Sequence, residues 1–150
     1  MIDVRPLLEE HVSVVDDALP LHRLDQWRLE GSTFLIAWDD GRPVGHAHLT
    51  WDGTKLEVPE IQDVYVAEDA RRRGVATALT HAAEAEAVAR GHDRISLSVG
   101  TGNFAAQALY DRLGFDDAGL EPERVRGTIM LRGEPFAVDD TLVYLVKRLS

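Results

Sequence analysis

Six consecutive residues, Arg71-Arg72-Arg73-Gly74-Val75-Ala76, set three cations beside a glycine and small or apolar positions, at a point where the character of the chain changes. Before them, Val64-Tyr65-Val66 has the β-branched and aromatic composition of a strand; after them, Thr77-Ala78-Leu79 opens an Ala-rich stretch of helical character. A strand, a short polar turn and a helix start follow in order. The first turn of a helix has backbone N–H groups without intrahelical partners and the positive end of the helix dipole, so phosphate oxygens are favourable ligands there. Gly74 and Ala76 keep side-chain bulk away from the turn and let an anion approach the backbone. The arrangement is a cradle for a pyrophosphate.

These physical features alone leave the ligand open, because several nucleotide folds use a helix N-terminus in this way. A Walker-type loop needs Gly-x-x-x-x-Gly-Lys-Ser/Thr, and the sequence has none. A dinucleotide fingerprint needs Gly-x-Gly-x-x-Gly, whereas this turn has one glycine. The turn does fit Arg/Gln-x-x-Gly-x-Gly/Ala, and with the strand before it closely resembles the acyl-coenzyme A motif of the GNAT superfamily of N-acetyltransferases. Downstream, Asn103-Phe-Ala-Ala106-Gln-Ala-Leu-Tyr110-Asp-Arg-Leu-Gly114-Phe115 is similar to that family's Asn-x-x-Ala-x-x-x-Tyr-x-x-x-Gly-Phe helix. The two motifs together cover roughly the central third of the chain.

The resemblance implies a mixed α/β fold of the α+β kind, with a V-shaped, mostly antiparallel central sheet flanked by helices and its fourth and fifth strands splayed apart. Acetyl-CoA is the implied cosubstrate and a primary amine the implied acceptor. The pantetheine arm would lie in the gap, held by backbone groups of Val64, Tyr65 and Val66, with the pyrophosphate on Arg71, Arg72, Arg73, Gly74, Val75, Ala76 and Thr77. Asn103 would contact the coenzyme near the gap. Tyr110 lies seven residues on, about 10 Å along a helix, where its hydroxyl would reach the sulfur as general acid; the ordinary alternative is a core aromatic whose hydroxyl finds a backbone partner.

Amide formation from a thioester needs a neutral amine, donors for the oxygen that becomes negative, and a proton for the departing sulfur. Some members that acetylate protein N-termini carry a glutamate on the fifth strand; the matching position here is Ser98, which counts against that subfamily. Glu60 and Asp63 remain as candidate bases, acting directly or through water, against the alternative of carboxylates in solvent or paired with arginine. With no cysteine for an acyl-enzyme, direct attack in a ternary complex is expected. Two rivals stay open. A non-catalytic acyl-CoA-binding or regulatory module would keep the Arg71–Thr77 turn and not need Tyr110. A nucleotide-binding oxidoreductase, with Asp93 as the ribose carboxylate, is opposed by the single glycine and the late position of the turn.

A chain of 150 residues with 45% hydrophobic and 28% charged residues is expected to form a single domain, 1–150. Its start has no basic region followed by an apolar run, its apolar runs are too short to span a bilayer, and it has no cysteine, so a cytoplasmic location is the default expectation. A net charge of -10 disfavours nucleic acid as a partner. It suits solubility, or a cationic amine. The resemblance adds a possible homodimer formed through terminal strands.

The elements that must position these groups follow in order. Ile2 to Pro6 alternates as a strand, and Glu9 to Leu19 and about Leu21 to Leu29 read as helices, which the resemblance places over the acceptor site. Thr33 to Trp38 and Val44 to Trp51 read as a hairpin about Asp39-Asp40-Gly41. His46 and His48 share one face of the second strand; two histidines so placed could hold zinc, but no third ligand stands out and no metal is expected. In the strand Glu60 to Val66, Ile61, Asp63 and Tyr65 share one face and Glu60, Gln62 and Val64 the other, unless a bulge shifts the register. Ile95 to Val99 reads as a buried strand, Asn103 as a helix N-cap and Gly114 as a left-handed helix end. Val125 to Leu131 and Leu142 to Lys147 read as strands joined through a turn or loop at Arg132-Gly133-Glu134-Pro135.

Overall fold

A computed structural model describes residues 2–19, 32–131 and 134–149. The helix expected over about Leu21 to Leu29 lies outside the described residues. Among those described, the chain runs β1 (Ile2–Pro6), α1 (Val12–Ala18), β2 (Ser32–Asp39), β3 (Arg42–Thr50), β4 (Glu60–Val66), α2 (Val75–Ala89), β5 (Arg94–Gly100), α3 (Phe104–Arg112), β6 (Asp116–Asp117), β7 (Glu123–Leu131) and β8 (Glu134–Arg148). The strands form one sheet in the order β1-β2-β3-β4-β5-β8-β6, with β7 also paired to β8. The pairing of β4 with β5 is parallel and that of the other neighbours antiparallel. This is the mixed, mostly antiparallel sheet expected.

The β2–β3 hairpin closes on Asp40 and Gly41, both at positive φ (51° and 79°), the tight turn that matches strand twist. Its alternation sorts the side chains into two cores. On one face, Leu35, Ala37, Ala47, Leu49 and Ile61 pack with Val75, Leu79, Ala83 and Ala87 of α2, an i, i+4 series in which the small alanines admit a close approach. On the other, Val15 of α1 packs with Phe34, Ile36 and Trp38.

The central strand departs from simple alternation. His46 pairs with Tyr65 but His48 pairs with Gln62, so β4 carries one extra residue between Gln62 and Tyr65, opposite Ala47. The bulge moves Tyr65 onto the face of Glu60 and Gln62, where it joins the α1 core, and Val64 onto the face of Ile61 and α2. Asp63 belongs to the bulge; its side chain lies outside the description. His46 and His48 do share a face and are buried, His46 stacked near Tyr65 at 6.1 Å and His48 tilted against Phe34 at 4.6 Å. Among the described residues no three histidine or carboxylate side chains group to hold a metal ion.

The C-terminal strands are longer than their composition suggests. β7 starts at Glu123, and Glu134 and Pro135, expected in the connecting turn, instead begin β8 and pair with Leu131 and Met130. Pairing with β7 carries β8 through the poorly β-forming Asp139-Asp140, where propensity alone gives no strand. Among the described residues no helix is long and apolar enough to cross a membrane.

Candidate functional site

β4 and β5 pair only at Glu60 with Ser96 and Ile61 with Leu97; beyond Ile61 they part. From Gln62 to Val66, therefore, the β5 side of β4 presents backbone groups that no strand partner takes, and the bulge falls within this stretch. The divergence opens a cleft of about 1360 Å³, with the N-terminus of α2 and the length of α3 along its walls. Val64, Tyr65 and Val66 line it on one side and Leu97, Ser98 and Val99 on the other.

At one end of the cleft Gly74 is the N-cap of α2, in the left-handed conformation (φ 80°, ψ 16°), and no side chain caps the helix. The first N–H of α2 with a backbone acceptor is that of Ala78, donating to the carbonyl of the cap residue Gly74 at 3.0 Å, which leaves Val75, Ala76 and Thr77 as the usual free donors of a first turn. A Cβ built on Gly74 meets nothing within 4 Å, so the space before this turn is open. Arg71 and Arg72 are exposed and line the cleft, Arg71 donating from Nε to the Val66 carbonyl at 3.2 Å. Arg73 is turned elsewhere. Its guanidinium pairs with Asp39 Oδ2 at 2.6 Å, and it does not line the cleft.

Asn103 begins α3 at the cleft edge, and its Oδ1 accepts from the Ala106 N–H at 3.1 Å, the capping bond its type and position imply. Two turns on, Tyr110 is buried at 6% exposure, lines the cleft and sits edge-on to Phe115 at 5.7 Å. Burial pushes the Tyr110 phenol above its ordinary value, with a hydrogen bond to Thr80 opposing the shift. Thr80 is fully buried on α2 and donates from Oγ1 to the Ala76 carbonyl at 2.8 Å.

At the other end Glu60 is buried, its Oε1 accepting from Gln62 Nε2 at 3.0 Å, and Tyr144 lines the same region. The cleft thus collects Glu60, Val64, Tyr65, Val66, Arg71, Arg72, Gly74, Val75, Ala76, Thr77, Asn103 and Tyr110 of the residues singled out from the sequence, and leaves Arg73 outside. Reading the sequence missed Thr80, Gln62 and Tyr144. A hydroxyl four residues after Ala76 within an apolar helix face was a usable signal for Thr80; Tyr144 faces the cleft only through its pairing with Ser98.

Comparison with known proteins agrees with this geometry. The family model described as the acetyltransferase (GNAT) family matches residues 3–115. An uncharacterized N-acetyltransferase from Methanocaldococcus jannaschii is 36% identical over 102 residues, which span 65% of this chain and 43% of that relative, less than half its length. Among solved structures, the ribosomal-protein-S18-alanine N-acetyltransferase from Escherichia coli superposes with a TM-score of 0.75 at 19% identity, covering 100% of this chain and 95% of that one. A GNAT family acetyltransferase from Elizabethkingia anophelis with acetyl-CoA bound gives a TM-score of 0.72 at 18% identity, covering 99% and 98%. A family match across most of the chain, on a sheet that parts between β4 and β5 over an uncapped helix start, identifies the chain as a member of the GNAT family of acetyltransferases.

Proposed function

We propose that this chain, as a single transferase domain, moves an acetyl group from acetyl-CoA to a primary amine by direct attack in a ternary complex. The observation that carries the reading is the open, uncapped start of α2 at one end of a cleft in which Tyr110 is buried. Acetyl-CoA supplies an activated acyl thioester. The N–H groups of Val75, Ala76 and Thr77, with Arg71 and Arg72, hold its diphosphate; four or more charge-assisted donors suit that group. The free backbone edge of β4 at Val64 to Val66 binds the pantetheine arm and directs N–H groups at the carbonyl oxygen that gains charge.

Tyr110 keeps its proton because it is buried, so a neutral phenol is available to the departing sulfur at physiological pH. Glu60 faces the acceptor side of the sheet and takes the proton of the incoming ammonium, directly or through water; Asp63, on the bulge, is the second candidate. Since the chain has no cysteine, no acyl-thioenzyme is formed on the way. Thiol release from acetyl-CoA across a panel of primary amines tests the reading. Amine-dependent release is expected, falling by about 100-fold in Glu60→Gln. Coenzyme binding without turnover of any amine would instead establish the non-catalytic binding module.

A further inference from the structure

The connection between β3 and β4 carries Lys55, one of two lysines in the chain. Its ammonium lies 2.8 Å from Glu123 Oε2 and 5.9 Å from the centroid of the Tyr144 ring. Tyr144 is buried at 8% exposure and, with Glu60, lines the cleft. The register puts these groups on one face: Glu60 pairs with Ser96, Ser98 with Tyr144, and Glu123 with Leu142, two residues from Tyr144. Arg126 also lines the cleft, but alternation along β7 sets it on the opposite face from Glu123. An alkylammonium of the chain itself is therefore seated between a carboxylate and an aromatic ring that lines the cleft, with Lys55 and Glu123 beside the cleft rather than in its lining. A carboxylate with a ring face is the pair of groups that recognises an organic cation.

The seat is easily vacated. Lys55 and Glu123 are 47% and 42% exposed in their side chains, and ion pairs this open contribute about 0–1 kcal/mol. An incoming ammonium takes the place of the one that leaves, and the freed lysine side chain regains its rotamer freedom in water. Glu60 lines the cleft and Glu123 stands beside Tyr144, and the field of both carboxylates reaches the Tyr144 hydroxyl.

We propose that Glu123 and Tyr144 form a subsite for a second cationic group on the acceptor, and that Lys55 holds its place until the acceptor displaces it. The acceptor class is then a small amine with two cationic centres, one delivered to the thioester and the other bound at Glu123 and Tyr144. The inference rests on the acetyl-transfer reading for the identity of the ligand, and its test separates the two. Calorimetric binding of 1,4-diaminobutane and of n-butylamine is measured on the full chain saturated with coenzyme A, alongside thiol release with each amine.

The diamine is expected to bind a few-fold more tightly than the monoamine, the worth of one exposed ion pair. Glu123→Gln should bring the diamine down to the level of butylamine, Glu123→Asp should retain part of the advantage, and Lys55→Ala should tighten diamine binding. Equal affinity for the two amines, or an advantage that survives Glu123→Gln in a protein with wild-type Tm, overturns the subsite. If both amines turn over without preference, acetyl transfer stands and the subsite falls. Diamine binding that depends on Glu123 without turnover of either amine supports the subsite and removes the transfer reading.

Discussion

Tyr110→Phe is expected to lower kcat by about 100-fold, the contribution of a positioned general acid, while leaving the KM for acetyl-CoA little changed. The substitution is a clean one. Phenylalanine keeps the edge contact with Phe115, and Thr80 keeps its bond to the Ala76 carbonyl, so no buried hydroxyl is stranded. The pH dependence supplies an independent check. Because burial raises the Tyr110 phenol above 10, the neutral acid persists through the whole range in which free tyrosine would still hold its proton, and beyond it. Activity of the wild type should therefore show no alkaline loss attributable to this group over the range in which a free tyrosine keeps its proton. A Phe variant with wild-type kcat would reduce Tyr110 to a core aromatic and leave the sulfur to be protonated by solvent.

Gly45→Ala is expected to destabilise the fold by about 1–3 kcal/mol and to weaken coenzyme binding at the same time. A methyl group at this position of β3 would lie 2.8 Å from the Tyr65 carbonyl oxygen and 2.9 Å from Val75 Cγ1, with Leu79 Cδ1 at 3.3 Å. Neither side can yield cheaply. Tyr65 is backbone on the free stretch of β4, and Val75 and Leu79 are buried residues of α2 packed on the sheet. Relief must come from lifting the first turn of α2 or displacing β4, the two parts of the cleft that present backbone donors. Thermal unfolding and coenzyme titration of the variant measure both effects. Gly102→Ala, where a Cβ meets nothing within 4 Å, serves as the control and should be nearly neutral. An alanine variant as stable as the wild type would show that the approach of α2 to β3 is not close-packed.

What the sequence disclosed and what it hid divide by range. The Arg71 to Thr77 turn, the Ala-rich helix after it and the Asn103 cap are local features: each is set by residue types within one or two turns of helix, and each appears in the structure where its spacing puts it. The parting of β4 from β5 was legible only through the family resemblance, because no property of either strand by itself dictates where pairing stops. The bulge was hidden for a related reason. Its register is set by β3, and strict alternation along Glu60 to Val66 therefore put Tyr65 on the face opposite the one it occupies.

The Glu60 end of the cleft was the least legible. Lys55, Glu60, Glu123 and Tyr144 come from separate segments and meet only because β8 bridges β5 and β7. Arg73 shows the same limit from the other direction: three adjacent arginines look equivalent in the sequence, but Asp39, closing the β2–β3 hairpin, takes the third for an ion pair. Propensity likewise understated β8, whose first half owes its extended form to β7 rather than to its own residues.

The central claim is that backbone donors at the start of α2 grip the diphosphate of coenzyme A, and isothermal titration with coenzyme A and with pantetheine, which has the same arm but lacks the diphosphate and the 3′-phosphoadenosine beyond it, tests it most directly. The account predicts heat on titration with coenzyme A and binding of pantetheine weaker by about 100-fold or more, the loss of two or more charge-assisted contacts. Equal affinities for the two ligands, or no heat with coenzyme A, would contradict it.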